Sequence, residues 1–258
     1  MQPISNYKNY LTLFVVAILI GEVLILNVII NFVSIDEGLV RYWFLLSSYI
    51  FIIIILFLEK DHLEEFHIDR FSIMLLIVFG SILHRKLLIP QEDIYIILLW
   101  VMSGVLLFFL IKNWKRLTHN NFYELFNAAL ITIIFVILLN YFENLFIAGP
   151  AIEDEKSAFL RTLRHLIFSL SFVAPPEEFL FRGLLWGILV RLGWREKKAI
   201  IFQGILFSLL HFRAGNAIRF FLLIPLTAIF FSILIIKYKR LFPAIMGHAL
   251  INAILPYY

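Results

Sequence analysis

Residues 166–190 read LIFSLSFVAPPEEFLFRGLLWGILV, a run that is apolar almost throughout yet holds Glu177, Glu178 and Arg182. It is longer than the roughly 20 residues a helix needs to cross about 30 Å of hydrocarbon. Inside hydrocarbon each ionisable side chain costs roughly 2.5–3.5 kcal/mol on insertion scales, so three in one segment call for a role that offsets the cost. Pro175 and Pro176 stand directly before the acids. Proline lacks the backbone donor and clashes with the preceding turn. The spacing therefore predicts a broken helix, or two helices, over 160–190, with Glu177 near a fresh N-terminus.

Working outward, the rest of the chain supports a membrane frame. Hydrophobic residues make up 62% and charged residues 16% of the 258 positions, against about 25% charged in a soluble domain. The mean hydropathy is +0.94. Apolar runs recur at 11–33, 43–58, 71–89, 93–112, 125–147, 160–190, 199–213, 220–236 and 241–256. The expected fold class is all-α, a polytopic transmembrane helix bundle of about eight helices, with nine candidate spans. The first run has one basic residue, Lys8, before it and no small-residue cleavage site after it, so it reads as a retained helix. With no cysteine, the sequence excludes disulfides, thiolate metal sites and thiol nucleophiles.

The formal charge of +4 fits basic cytoplasmic loops and gives no case for nucleic acid as a partner. Basic residues gather in alternate connections: Lys112, Lys115 and Arg116; Arg191, Arg195, Lys197 and Lys198; and Lys237, Lys239 and Arg240. By the positive-inside rule these ends face the cytoplasm, opposite Glu153, Asp154 and Glu155. Arg161, Arg164, Arg213 and Arg219 run against that assignment, and the N-terminal third has little bias.

Three polar sets fall in the last four spans: Glu177-Glu178-x-x-x-Arg182, Phe207-x-x-x-His211 and His248-x-x-x-Asn252. A helix rises about 1.5 Å per residue. Measured from the nearest basic connection, Glu177 lies roughly 21 Å deep, His211 roughly 19 Å, and His248 and Asn252 roughly 12 and 18 Å. Helices running in alternate directions thus bring a carboxylate, two imidazoles and an amide to similar depth. Glu178 and Arg182 share a helix face in the favourable order for an ion pair. Such a pair leaves Glu177, about 100° round the helix, to point elsewhere. His248 and Asn252, one turn apart, are expected to aim two donors at one oxygen.

These ordered motifs resemble the CAAX prenyl protease and bacteriocin-processing (CPBP, or Abi) family of intramembrane endopeptidases, which includes the type II CaaX prenyl endopeptidase. The family pattern of E-E-x-x-x-R, then F-x-x-x-H, then H-x-x-x-N is complete here, and the resemblance covers roughly residues 160–256. It implies a helical membrane fold and peptide-bond hydrolysis, with residues 151–258 as the catalytic core and 1–150 as N-terminal transmembrane helices of unassigned role. It also implies Glu177, His211, His248 and Asn252 as catalytic residues, with Glu178, Arg182 and Phe207 supporting the site. Expected partners are the lipid bilayer and a peptide or protein substrate at the membrane, with or without a prenyl group. No cofactor is favoured. The rival version places zinc on Glu177, His211 and His248, since one Glu and two His form a catalytic zinc set, but the usual H-E-x-x-H helix is absent. The expected location is an integral position in a membrane, a prokaryotic plasma membrane on the weak hint of many Phe and Ile residues without cysteine.

Blander readings compete at each position. Glu177, Glu178 and Arg182 can form a buried structural ion cluster, and His248 with Asn252 can be polar glue between helices. Gly183 and Gly187 form a G-x-x-x-G that reads as close helix packing. Glu22, Asn27, Asn31, Asn127 and Asn140 read as bundle-facing polar residues. His62, Glu64, Glu65 and His67 have the wrong spacing for a metal helix and read as a solvated loop. Two rival functions stand beside the endopeptidase. One is a non-catalytic scaffold, regulator or bacteriocin-immunity protein of the same fold. The other is a transporter, which would carry a matching interrupted helix in a second half.

Overall fold

A computed structural model describes residues 6–32, 37–81, 93–117, 121–146, 155–211 and 218–255. The side chains of Asn27, Asn31, Asn140 and Arg219, together with Glu153, Asp154 and Arg213, lie outside the described residues. Every regular element among those described is helical: α1 (Asn6–Phe32), α2 (Glu37–Leu58), α3 (Arg70–Ser81), α4 (Asp93–Asn113), α5 (Phe122–Phe146), the composite α6 (155–191), α7 (Glu196–Leu210), α8 (Ile224–Tyr238) and α9 (Phe242–Ile254). A π-helical turn, Arg219–Leu223, leads into α8. By length and composition Phe122–Leu139 and Phe220–Tyr238 can cross a membrane; Tyr10–Glu22, Ser47–Leu58, Trp100–Asn113 and Phe242–Ile254 are shorter apolar helices.

The expected break at the two prolines does not occur. Helical backbone runs through Glu155–Phe168, a π-helical turn Ser169–Val173, Ala174–Glu178, a second π-helical turn Phe179–Leu185 and Trp186–Arg191. The wider π register carries Ala174 N–H back to Ser169 O, and beyond the two donors that proline lacks Phe179 N–H returns to the ordinary helical acceptors Pro175 O and Pro176 O. Glu177 therefore lies within a continuous helical path. Single π turns of this kind are frequent at functional sites. The stretch ends at Gly193, whose φ of +90° suits glycine. Trp194 N–H bonds to Leu189 O and Gly193 N–H to Val190 O, the paired pattern of a Schellman stop.

Residues 178–189 of α6 are all buried, so the charged positions sit in its most enclosed part. The first half of α6 packs on α9, which also touches α5 and α8; α7 packs on α8 and on the end of α6. Gln203 donates to Ser232 Oγ at 2.9 Å and ties α7 to α8. On the other side α1 and α2 pack together and reach α6, while α3 packs on α4 and on the Ser169–Val173 turn.

The connection between α2 and α3 departs from its reading as a solvated loop. Glu64 and Glu65 face outward, and His62 Nδ1 lies 3.0 Å from Glu65. Leu63, Phe66, Ile68 and Asp69 are buried, however. Phe66 explains Gly187. A Cβ on Gly187 would meet the Phe66 ring at 2.2 Å, whereas one on Gly183 would lie in ordinary contact with Phe66 O at 3.5 Å. Gly187 thus admits this connection against α6, a different partner from the neighbouring helix that G-x-x-x-G suggests. The basic connections gather at this same end. Arg116 pairs with Asp61, Arg70 donates to Trp114 O, and Arg191 pairs with Glu59 at 2.6 Å and Glu65 at 3.2 Å.

Candidate active site

The site grows from one turn of α6. Glu178 and Arg182 form their i,i+4 pair at 3.1 Å, both fully buried. Burying such a pair stabilises it only where further contacts satisfy the remaining polar atoms. His248 of α9 supplies one, its Nδ1 lying 2.8 Å from Glu178 Oε1. A carboxylate only accepts, so Nδ1 carries the proton and donates. The Arg182 guanidinium lies 4.0 Å from the Phe207 ring centre, 5.3 Å from that of Phe231 and 5.9 Å from that of Phe181. Ring faces attract a cation and are worth most where water is excluded. Phe207 is therefore more than filler: its ring also lies 4.4 Å from His211 and 5.8 Å from His248. Phe231 stacks on His248 at 5.1 Å.

Glu177, the next residue, turns to the other imidazole faces. Its Oε2 lies 3.6 Å from His211 Nε2 and 3.8 Å from His248 Nε2, and it has no hydrogen-bond partner among the described residues. His211 ends α7 and is oriented by its Nδ1 against Phe207 O at 2.8 Å, which fixes that nitrogen as the donor. Glu177 remains 14% exposed, whereas Glu178 is fully enclosed. The two adjacent acids thus have different environments, as the sequence leads one to expect.

The structure brings Glu177, Glu178, Arg182, Phe207, His211 and His248 together and engages Asn252 differently. The Asn252 amide donates to Ser169 Oγ at 2.9 Å, while His248 Nδ1 is held by Glu178. The two donors expected to share an oxygen each have their own protein partner. One amide N–H of Asn252 and Nε2 of His248 remain to meet another group. Ser169 is a site residue that sequence reasoning missed. It is 1% exposed, at the start of the π turn. One of two serines in an apolar run gives no signal, and its link to Asn252 spans 83 positions.

A tetrahedral zinc ion with bonds of about 2.0–2.2 Å places its ligand atoms about 3.4 Å apart. The separations from Glu177 Oε2 to the two imidazoles are longer, and among the described residues no group of three or more His, Cys, Asp or Glu side chains is arranged to hold a metal. As placed, these residues do not fit a zinc site.

No curated protein and no solved structure matches the chain. Residues 159–254 do match a protein family, the Type II CAAX prenyl endopeptidase Rce1-like family, over a stretch that holds Glu177, Glu178, Arg182, Phe207, His211, His248 and Asn252 and bears out the resemblance drawn from the three motifs.

Proposed function

We propose that this protein is an intramembrane endopeptidase that hydrolyses peptide bonds of membrane-associated substrates. The observation that carries the reading is the convergence of Glu177 Oε2 with the Nε2 atoms of His211 and His248 from three helices. Gaps slightly beyond hydrogen-bond reach accommodate a bridging water. Glu177, assisted by His211, takes a proton from that water as its oxygen attacks the scissile carbonyl carbon. His248 Nε2 and the second N–H of Asn252 donate to the oxyanion. With Nδ1–H committed to Glu178, Nε2 donates only when it too carries a proton. Collapse of the tetrahedral intermediate breaks the C–N bond, and the proton held by Glu177 passes to the leaving amine. Glu178 and Arg182 hold the site, with Phe207 covering the guanidinium.

In this reading residues 151–258 carry the chemistry, and 1–150 are membrane helices that brace it. The polytopic membrane assignment is supported by the outward face of α5, where Phe126, Leu130, Ile133, Ile134, Ile137 and Leu138 are exposed. A water-soluble protein rarely leaves so continuous an apolar patch uncovered. The basic ends face the cytoplasm of a prokaryotic plasma membrane. Substrates are peptides or proteins held at the bilayer, with or without a prenyl group.

The test compares protein termini in native-host membranes carrying wild type, Glu177→Ala or His248→Ala at matched levels. New termini confined to wild type support the protease and name its substrates. Identical termini in all three, with the native phenotype retained, would replace it by the non-catalytic scaffold or immunity protein. Repeating the wild-type arm with a zinc chelator separates the two water-activating schemes.

A further inference from the structure

Asp69 lies outside the family match and is fully buried, and its carboxylate closes two helices at once. Its Oδ1 accepts Ser72 N–H at 3.0 Å, while Ser72 Oγ accepts Asp69 N–H at 3.2 Å and donates to Asp69 O at 2.7 Å, so α3 begins with a reciprocal cap. Its Oδ2 accepts Leu241 N–H at 3.0 Å and Phe242 N–H at 2.8 Å, the first donors of α9. The carbonyl of His67 takes a share of Leu241 N–H at 2.8 Å. Those donors have no partner inside α9 itself. Three residues earlier, Phe66 fills the notch that Gly187 leaves on α6. One short connection therefore touches the helix of Glu177 and fixes the start of the helix of His248 and Asn252.

We propose that Asp69 is a positioning residue: it sets the rotation and height of α9, and through α9 the approach of His248 to Glu178 and Glu177. Its catalytic consequence rests on the endopeptidase reading; its structural consequence does not. The experiment compares full-length wild type with Asp69→Asn, which keeps the size but faces an amide donor towards one of the two helix starts. The first readings, hydrogen exchange at 241–245 and the ring-nitrogen NMR signals of labelled His248, need no substrate. Loss of one such cap speeds exchange by about 3- to 30-fold. The expected result is faster exchange at 241–245 together with a displaced His248 Nδ1 signal. Unchanged exchange, or an unmoved His248 signal, overturns the proposal. With a cleavable substrate, kcat is expected to fall at least threefold while KM stays within twofold; an unchanged kcat overturns the positioning role. If wild type cleaves nothing, the endopeptidase reading fails, and exchange and NMR still decide the placement of α9. Should Asp69→Asn not fold, the same readings are made on Ser72→Ala, which removes the hydroxyl's bonds to Asp69 N–H and Asp69 O and so loosens the backbone that carries the carboxylate. The changes are then expected in the same direction and smaller, and their absence overturns the proposal.

Discussion

Two ion clusters sit on α6 about 14 Å apart along the helix, and they differ in how completely they are satisfied. At the outer one, Glu59 Oε1 accepts from Thr12 Oγ1 at 2.5 Å and Oε2 from Arg191, whose Nε also reaches Glu65. At the inner one, Arg182 pairs with Glu178 and Glu178 with His248, yet Glu177 Oε2, Glu178 Oε2 and two nitrogens of Arg182 have no hydrogen-bond partner among the described residues. Buried polar atoms in proteins are nearly always paired, so an exception demands an account. A saturated cluster fastens elements together; an unsaturated one in the same fold retains capacity for a substrate, a water or a developing charge. Burial and charge alone therefore do not mark a site; what sets the inner cluster apart is that its unspent hydrogen-bonding capacity converges with two imidazoles.

The largest effect should come from the inner cluster. Glu177→Gln is expected to lower cleavage by about 10²- to 10⁴-fold, the usual worth of a general base, while the thermal unfolding midpoint hardly moves. Turnover and unfolding are measured on one preparation, and a variant that unfolds instead of losing turnover erases the contrast. Arg191→Met should act in the opposite sense. Leaving the 1% exposed Glu59 without its cation costs about 3–5 kcal/mol, yet activity per folded molecule should stay near wild type. Denaturant unfolding in detergent checks the first number and active-site-normalised rates the second.

A smaller effect sharpens the contrast by testing what joins the two clusters. Gly187→Ala sets a methyl against Phe66, and overpacking of this kind costs about 1–3 kcal/mol. Phe66→Leu in the same chain should recover part of the loss, a non-additivity that contacting residues produce. Strict additivity in a double-mutant cycle would mean that the notch is not where the connection seats.

A further effect is one of pH. Burial, with Lys239 nearby, holds the His67 ring down at about 4, against about 6.5 for a free histidine. The folded form keeps the ring neutral while the unfolded chain takes up a proton. Its contribution is therefore fully present above about pH 6.5 and lost as pH falls towards about 4. Wild type should lose stability over that window relative to His67→Asn, which tolerates the positive φ of 57°. Parallel stability curves for the two proteins would rule this out.

Much of the inner cluster is legible in the sequence because it is written in helical arithmetic. Glu178 and Arg182 are four apart, and the agreement in depth needs only a rise per residue. Three features escape that arithmetic. Pro175 and Pro176 signal a break, but the π turns beside them reset the hydrogen-bond register, and no sequence rule weighs a π turn against a kink. The stretch from His62 to Asp69 mixes charged and apolar residues and reads as a loop, because nothing in it announces that Phe66 has a notch waiting at the distant Gly187. Ser169 and Asp69 carry no motif, and their partners lie 83 and 172–173 positions away.

By itself the sequence determined the helical class, the local ion pair of Glu178 with Arg182, and which polar side chains share a depth, since each follows from composition and from the period of one helix. Only the tertiary structure decided the unbroken path through the prolines, the partner that fixes the proton on His248 Nδ1, the Ser169 contact of Asn252 and the double cap by Asp69. Those depend on how far each helix is turned and shifted against its neighbours. An apolar surface packs acceptably over a range of such shifts, and it is the directional bonds between distant residues that select one.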